Sequence, residues 1–298
     1  MPYLSKTLAS IEAQTYKNWE ILAWDDGSTD GTLEELRKWI PDRLPGRIIT
    51  AESSGVGSAL ASLVEESTTG FCARIDGDDI NVPERLEKQV AFLESHPEVA
   101  LVGSQAYCID ENGNISKDLY LNGLPLHHDD IVHWLFYHNT LVHPSVLFRR
   151  SAILDVGSYR SIPNVEDYDL WLRLASRYKI ANLDLPLIYY RIHDKSTTQS
   201  KKREGELIDL IDRCVSQNAP LLFGCTESEA KRLRCRQQQL AIKTLYKIAR
   251  HLQQTQGGSL LDRLRSESFV RTSQSLVSRQ DIISRVALAS LNRTMIHV

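Results

Sequence analysis

No stretch of this 298-residue chain approaches the roughly 20 consecutive apolar residues of a membrane-spanning helix, and no signal-peptide pattern follows Met1. Cysteine is scarce and odd in number. Cys72, Cys108, Cys214, Cys225 and Cys235 fit neither a disulfide framework nor a zinc ligand set, so reduced thiols in a cytoplasmic protein are expected. No Gly-rich loop bearing Lys or Arg stands near the start to cradle a triphosphate, which argues against a nucleotidyl transfer site. Aromatic residues are sparse in the last hundred positions, which argues against a nucleic-acid surface there. Internal repeats and low-complexity tracts are absent too.

What remains is an ordinary globular composition, 42% hydrophobic and 24% charged. The length allows one large domain, or one domain with an appendage. The net charge of −3 hides an asymmetry. Residues 1–200 hold 18 Lys/Arg against 29 Asp/Glu, and residues 201–298 hold 17 against 9. Two segments with different tasks are expected, split near 200.

Two acidic clusters carry most of the information. Asp25-Asp26-Gly27-Ser28-Thr29-Asp30-Gly31-Thr32 follows the apolar run Ile21-Leu22-Ala23-Trp24, and Asp76-Gly77-Asp78-Asp79 follows Phe71-Cys72-Ala73-Arg74-Ile75. Between and after them, strand patterns (20–24, 47–50, 71–75) alternate with helical ones (33–39, 56–66 and the stripe Leu86, Val90, Leu93). Such alternation predicts a doubly wound α/β sheet, whose ligands bind at the carboxyl ends of the strands. Carboxylates crowded at that edge repel one another unless a cation or hydrogen-bond donors neutralise them. Downstream, 99–107 and 115–119 flank Asp110-Glu111-Asn112-Gly113, a hairpin signal. A helix is expected around 130–137, a strand at 145–148, a helix over 167–177, and strands at 180–183 and 187–192. After Lys201-Lys202-Arg203 the strand signals stop, and 207–214, 230–252 and 281–291 read as helices.

From about Tyr3 to Ser200 the chain resembles glycosyltransferase family 2, whose members have the GT-A fold. The residues that carry the resemblance are Gln14-Thr15-Tyr16, the two acidic clusters, Pro83-Glu84-Arg85-Leu86, His143-Pro144-Ser145-Val146, Glu166-Asp167-Tyr168-Asp169-Leu170-Trp171-Leu172-Arg173 and Tyr190-Arg191-Ile192-His193. The resemblance implies a GT-A domain over 1–200 with a mixed, mostly parallel sheet, and leaves 201–298 as a basic helical extension. It implies an inverting transfer of a sugar from a nucleotide-diphosphate sugar, UDP-linked, to a hydroxyl of a glycan or lipid-linked acceptor in cell-surface glycan synthesis.

It also implies roles by position. Asp26 accepts hydrogen bonds from the base, or else belongs to a well-capped turn. Asp76 and Asp78 are the Asp-x-Asp pair for Mg²⁺ or Mn²⁺, Asp78 the direct ligand, Asp76 near ribose or metal, and Asp79 in support. Asp167 is the aligned catalytic base, although a carboxylate at a helix start also answers the macrodipole. His193 returns to the diphosphate or metal, or is a surface histidine at a strand end. Arg191 meets phosphate or pairs with a carboxylate. His143-Pro144 shapes the acceptor side. In the stretch 53–61 the arginine many relatives carry near the nucleotide is absent.

Relatives open with an apolar strand at the sheet centre. Here Met1-Pro2-Tyr3-Leu4 already lies in the approach to the following helix, so a strand and turn of ~10–20 residues are expected upstream. A sheet without that strand leaves its neighbours' hydrogen-bonding groups open, and the alternative to an active transferase is then an inactive nucleotide-sugar-binding or scaffold protein. In the extension, Arg232, Arg234, Arg236, Lys243, Lys247 and Arg250 alternate with Leu233, Leu240, Ile242, Leu245 and Ile248. That pattern suits a solvated face packed on the domain, or peripheral attachment to the anionic inner face of a membrane.

Overall fold

The computed structural model describes residues 2–52, 54–121, 123–193, 204–234, 247–248, 250–252, 254–255 and 293–297. Leu4–Glu12 (α1) leads into Glu20–Asp25 (β1), Thr32–Trp39 (α2), Gly46–Thr50 (β2), Val56–Glu66 (α3), Phe71–Asp76 (β3), the two-residue Ile80–Asn81 (β4) and Arg85–Ser95 (α4). The hairpin Val99–Ile109 (β5) and Ile115–Leu121 (β6) follows, then His128–Leu135 (α5), a 3₁₀ turn at His143–Ser145, Leu147–Arg149 (β7) and Arg150–Asp155 (α6). Glu166–Ala175 (α7), Lys179–Arg191 (β8), Glu204–Leu222 (α8), Glu227–Arg234 (α9) and Arg293–His297 (β9) complete the described elements.

The strands form one sheet in the order β2-β1-β9-β3-β7-β5-β8-β4, with β6 on β5. β1, β2, β3, β5 and β8 run one way, while β4, β6, β7 and β9 run against them. The period-two alternation of β1 divides the core between two faces. Ile21 and Ala23 pack with Leu4, Leu8 and Ile11 of α1, Leu36 and Trp39 of α2, and Leu86, Val90 and Leu93 of α4. Leu22 packs on the other face with Leu60 and Leu63 of α3, Leu135 of α5 and Trp171 of α7. Helices on both faces of the sheet make three layers.

α8 joins the second of these clusters through Leu207, Cys214, Val215, Ala219 and Leu222, and Phe223 meets Phe136 edge-on with ring centroids 4.9 Å apart. Arg234 of α9 pairs with Asp212 (2.6 Å), and Lys247 pairs with Glu229. Two of the basic residues in the extension are thus bound within the molecule. Arg236, Lys243, positions 235–246 of the helix expected over 230–252, and the expected helix at 281–291 lie outside the described residues.

Four elements differ from the sequence reading. The two strands expected at 180–183 and 187–192 are one strand, β8, whose register shifts between Leu183 and Pro186; that irregularity interrupts the alternation. The strand expected at 145–148 starts at Leu147 because His143–Ser145 forms the 3₁₀ turn, and α6 follows it directly. β4 is too short to show a period. β9 lies past the last expected helix, in a region read as free of strand signals: Thr294 and Ile296 are strand formers, but five residues are too few to show a period. β9 occupies the sheet position for which the resemblance implied an upstream strand, antiparallel to both β1 and β3.

A buried polar girder ties the elements under the acidic edge. Arg85 donates through Nη2 to the carbonyls of Arg74 (2.7 Å) and Val146 (3.1 Å), through Nη1 to Asn81 (2.6 Å) and through Nε to Gln89 (3.0 Å). Gln89 continues to the carbonyls of Val102 (3.2 Å) and Ser145 (2.8 Å). Gln14 donates to the Val82 carbonyl (2.9 Å) and accepts the Leu86 N–H (3.0 Å). The motifs Gln14-Thr15-Tyr16 and Pro83-Glu84-Arg85-Leu86 therefore hold the frame of the site. Burial pulls the Arg85 guanidinium down to about 9. Arg85→Met removes a buried donor set and leaves its acceptors open; a loss of about 3–5 kcal/mol in urea unfolding is expected.

Candidate active site

At the exit of β1 the Asp26 carboxylate accepts hydrogen bonds from the Ser54 N–H (3.0 Å) and from Trp24 Nε1 (3.4 Å). Asp25 is buried and accepts the Ser28 N–H at 3.4 Å. Asp30 receives the Thr32 N–H (3.3 Å) at the start of α2, where Gly31 has φ of 83°. The capped turn expected from this motif is therefore formed by Asp30, while Asp26 faces the loop that leads into α3.

At the exit of β3, Asp76 forms an ion pair with Arg74, both fully buried. Asp79 accepts the backbone N–H of Arg191 (2.8 Å), and burial, then the charges of Asp78 and Asp76, push its carboxyl well above the usual range. Arg191 donates through Nε to the Asp78 carbonyl (2.8 Å) and through Nη1 to the Asp110 carbonyl (2.8 Å), and it lies 4.4 Å from the centre of the Tyr3 ring. Its side chain thus clamps the Asp-Gly-Asp-Asp turn to the β5–β6 hairpin. Nη2 is buried and has no partner among the described residues. His193 Nε2 stands 3.1 Å from Asp78 Oδ2, with the Tyr3 ring 5.2 Å away.

A divalent ion finds two protein ligands of suitable chemistry here, Asp78 and His193. Among the described residues no group of three or more His, Cys, Asp or Glu is arranged to hold an ion alone. A hard cation that takes six oxygen-rich ligands fits this pair if the remainder come from phosphate oxygens and water. Asp76, committed to Arg74, is a weaker candidate for direct ligation.

Asp167 sits at the start of α7, buried, and accepts from Asn139 Nδ2 (2.8 Å) and from the Tyr168 N–H (2.7 Å). Burial, then the neighbouring Glu166 charge, push its carboxyl up to about 8. Its ionised fraction, small at neutral pH and rising toward about 8, can take a proton. Asp169 has a different occupation, pairing with Arg173 at 2.8 Å and holding that guanidinium against the Ser158 carbonyl.

β1 and β3 run the same way, so Asp26 and the Asp76–Asp79 turn share one edge of the sheet. The 3₁₀ turn links that edge to α7. The Arg74 N–H donates to the Val146 carbonyl (2.9 Å). His143 Nε2 lies 3.0 Å from the Tyr159 hydroxyl and edge-on to Trp171, with centroids 5.7 Å apart. The buried Tyr159 feels the charges of Arg74, Asp167 and Glu166 together. Residues 57 and 58 of α3 meet the loop before α7. Ser58 and Ser161 hydroxyls are 2.6 Å apart, and a Cβ on Gly57 would collide with the Arg160 carbonyl.

Arg74, Asn139, Tyr159 and Tyr3 escaped the sequence reading. Only Arg74 had a local signal, a charge between the apolar Ala73 and Ile75.

The profile of Glycosyl transferase family 2 matches residues 1–157. The chain is 36% identical over 202 residues to the amylovoran biosynthesis glycosyltransferase AmsE of Erwinia amylovora, covering 67% of this chain and 74% of that one. It is 33% identical over 203 residues to the O-antigen biosynthesis glycosyltransferase WbnJ of Escherichia coli, covering 66% and 78%. Among solved structures it resembles the mannosyltransferase PcManGT of Pyrobaculum calidifontis, in complex with GDP-Man and Mn²⁺, with TM-score 0.56, 14% identity and coverage of 96% and 82%. It also resembles S. aureus TarS with TM-score 0.53 and 16% identity, spanning about half (52%) of that chain. These likenesses show the GT-A fold.

The raised Asp167 carboxyl sets a pH dependence. The folded chain retains that proton between about 4 and about 8, where the unfolded chain has lost it, so stability falls as pH rises through the window. Asp167→Asn is expected to gain in melting temperature over the native chain steadily from pH 4 to pH 8, and to gain nothing below pH 4.

Proposed function

Since this chain belongs to glycosyltransferase family 2 and is a transferase of that family, we propose that it moves a sugar from a UDP-linked donor to a glycan or lipid-linked hydroxyl, with inversion, in cell-surface polysaccharide synthesis. The observation that carries this reading is the shared sheet edge of Asp26 and the Asp76–Asp79 turn, with a buried, proton-holding Asp167 on the adjoining wall. The relatives named for amylovoran and O-antigen synthesis support the acceptor class. Residues 1–200 form the transferase domain in this reading, and residues 201–298 the extension.

Asp26 accepts the N–H of the base, beside Trp24 and Ser54. Asp78 and His193 would hold Mg²⁺ or Mn²⁺, and the ion would supply positive charge against a departing nucleoside diphosphate. The Mn²⁺ bound to PcManGT supports a divalent ion. Arg74 balances Asp76, and Arg191 with Asp79 fixes the turn that carries Asp78. The ionised form of Asp167, a minor fraction at neutral pH that grows as pH rises toward about 8, takes the acceptor hydroxyl's proton as its oxygen attacks the anomeric carbon from the face opposite the leaving group. Asn139 aims that carboxylate. His143 and Trp171 line the acceptor side. The exposed Arg232 and Arg250 attract an anionic membrane surface, where lipid-linked acceptors reside. Among the described residues no helix is long and apolar enough to cross a membrane.

Nucleoside diphosphate release from a panel of UDP- and GDP-sugars, with Mn²⁺ and with chelator, tests the proposal. UDP-sugars with metal are expected to give turnover, and a flat panel ends it. Asp78→Ala is expected to weaken metal-assisted donor binding about 10–100-fold. Asp167→Ala is expected to leave donor binding in place and lower turnover about 10²–10⁴-fold. Equal donor affinity with and without metal refutes the role of Asp78. Asn139→Ala removes a donor from the ionised carboxylate, so the acidic limb of kcat/KM is expected to move to higher pH.

A further inference from the structure

Helix α5 ends beside the residue that aims Asp167. The N–H groups of Tyr137 and His138 both donate to the Trp134 carbonyl (2.8 and 3.0 Å), and the Phe136 and Tyr137 carbonyls belong to the helix end that its own amides leave open. Arg234 of α9 answers them. Its Nη1 donates to the Phe136 carbonyl and lies 3.5 Å from that of Tyr137, while its Nε donates to Asp212 of α8 at 2.6 Å. The side chain is only 10% exposed in this position. A guanidinium there also meets the negative end of the helix dipole.

The segment that follows carries Asn139. Its Oδ1 accepts the Leu141 N–H (3.1 Å), which leaves Nδ2 to face Asp167 Oδ2 at 2.8 Å, so the amide has one orientation and donates to the carboxyl. The next carbonyl, that of Thr140, accepts from Asn182 Nδ2 of β8 at 3.1 Å. Asn139 therefore stands between two fixed points, Asn182 on one side and Arg234 on the other. Two further contacts bind the same elements. Tyr168, the residue after Asp167, donates its hydroxyl to the Leu135 carbonyl (2.6 Å), and Phe223 meets Phe136 edge-on. The Arg234 charge reaches the Tyr137 and Tyr168 phenols, and Cys214 of α8 feels the charge of Asp167.

We propose that Arg234 is a positioning residue for the base: the helical extension, docked through α9 on the end of α5, holds Asn139 at the distance from which it donates to Asp167. The extension carries no motif of its own, yet in this arrangement it belongs to the machinery of transfer. The task of Asp167 as base rests on the transfer reading, whereas the hold of Arg234 on Asn139 does not.

The titration of Asp167 reads that hold without any donor sugar. The groups that face its carboxyl are Glu166 beside it, Tyr159 before α7, Tyr168, Cys214 of α8 and Asn139. Loosening the Asn139 donor disfavours the ionised form and raises the carboxyl further. The gain in melting temperature from Asp167→Asn grows with pH until the folded-state value is passed, so in the native chain it levels off near pH 8. In full-length Arg234→Gln the levelling-off is expected about one pH unit higher. Asn139→Ala is expected to give the same displacement, and the Arg234→Gln/Asn139→Ala pair to add nothing to it. An unmoved levelling-off in Arg234→Gln, or full additivity in the pair, would overturn the proposal. Arg234→Lys keeps the charge, but one ammonium cannot fork between Asp212 and the Phe136 carbonyl, so a smaller displacement in the same direction is expected. Should Arg234→Gln fail to fold, this variant decides, and an unmoved value overturns the proposal. In turnover, Arg234→Gln is expected to lower kcat about 10–100-fold while UDP with Mn²⁺ binds as it does to the native chain. A matching loss of UDP affinity would mark a general structural defect and overturn the positioning role. Absence of turnover in the native chain would end the transfer reading, and the melting series would still decide the part played by Arg234.

Discussion

A charged guanidinium buried without a carboxylate hydrogen-bonded to it organises the frame of this molecule. Arg85 spends its donors on two backbone carbonyls and two side-chain amide oxygens, and so joins α4 to β3, to β4 and to the segment after the 3₁₀ turn. Burying such a group costs several kcal/mol unless its hydrogen bonds are satisfied, so the four elements can hold only one mutual arrangement. The carbonyl it grips on β3 belongs to Arg74, the residue that neutralises Asp76. Position of the frame and charge of the site are thereby set by the same few atoms.

The acidic edge follows from that arrangement. Five carboxylates stand at the exits of two strands that run the same way, and the protein deals with their repulsion unevenly. Asp76 receives an arginine, Asp79 keeps its proton by burial and accepts a backbone N–H, and Asp78 faces His193. One carboxylate of the turn is thus left facing an imidazole. On the far wall Asp167 holds its proton for a related reason, burial beside Glu166. Two carboxylates of one motif set, Asp78 and Asp167, thus stand in different surroundings, one beside a histidine and one buried beside a second carboxyl.

Much of this was legible in the chain because it is local. An acidic turn after an apolar strand is a pattern of eight residues, and the hairpin at Asp110–Gly113 is shorter still. Arg191 and His193 were visible as candidates, but their tasks were not: Arg191 reaches Asp78 across 113 positions, a distance no pattern records. Asn139 meets Asp167 28 positions on, and Tyr159 matters only because three charges converge on its ring. β9 was invisible because a strand of five residues is made by its neighbours. Pro83-Glu84-Arg85-Leu86, prominent in the resemblance, proved to hold the frame while the groups proposed for chemistry stand elsewhere.

Gly57 has a consequence for how this enzyme can diversify. A Cβ on Gly57 would collide with the Arg160 carbonyl, and with Ser58 touching Ser161 the start of α3 is locked to the loop that leads to α7. Any larger residue at 57 would push both apart at once. Chimeras that import a new 158–165 loop from a relative, while retaining the resident α3, would misfit at this joint. Recombination for altered glycan products should therefore exchange 53–61 and 158–165 as a matched cassette.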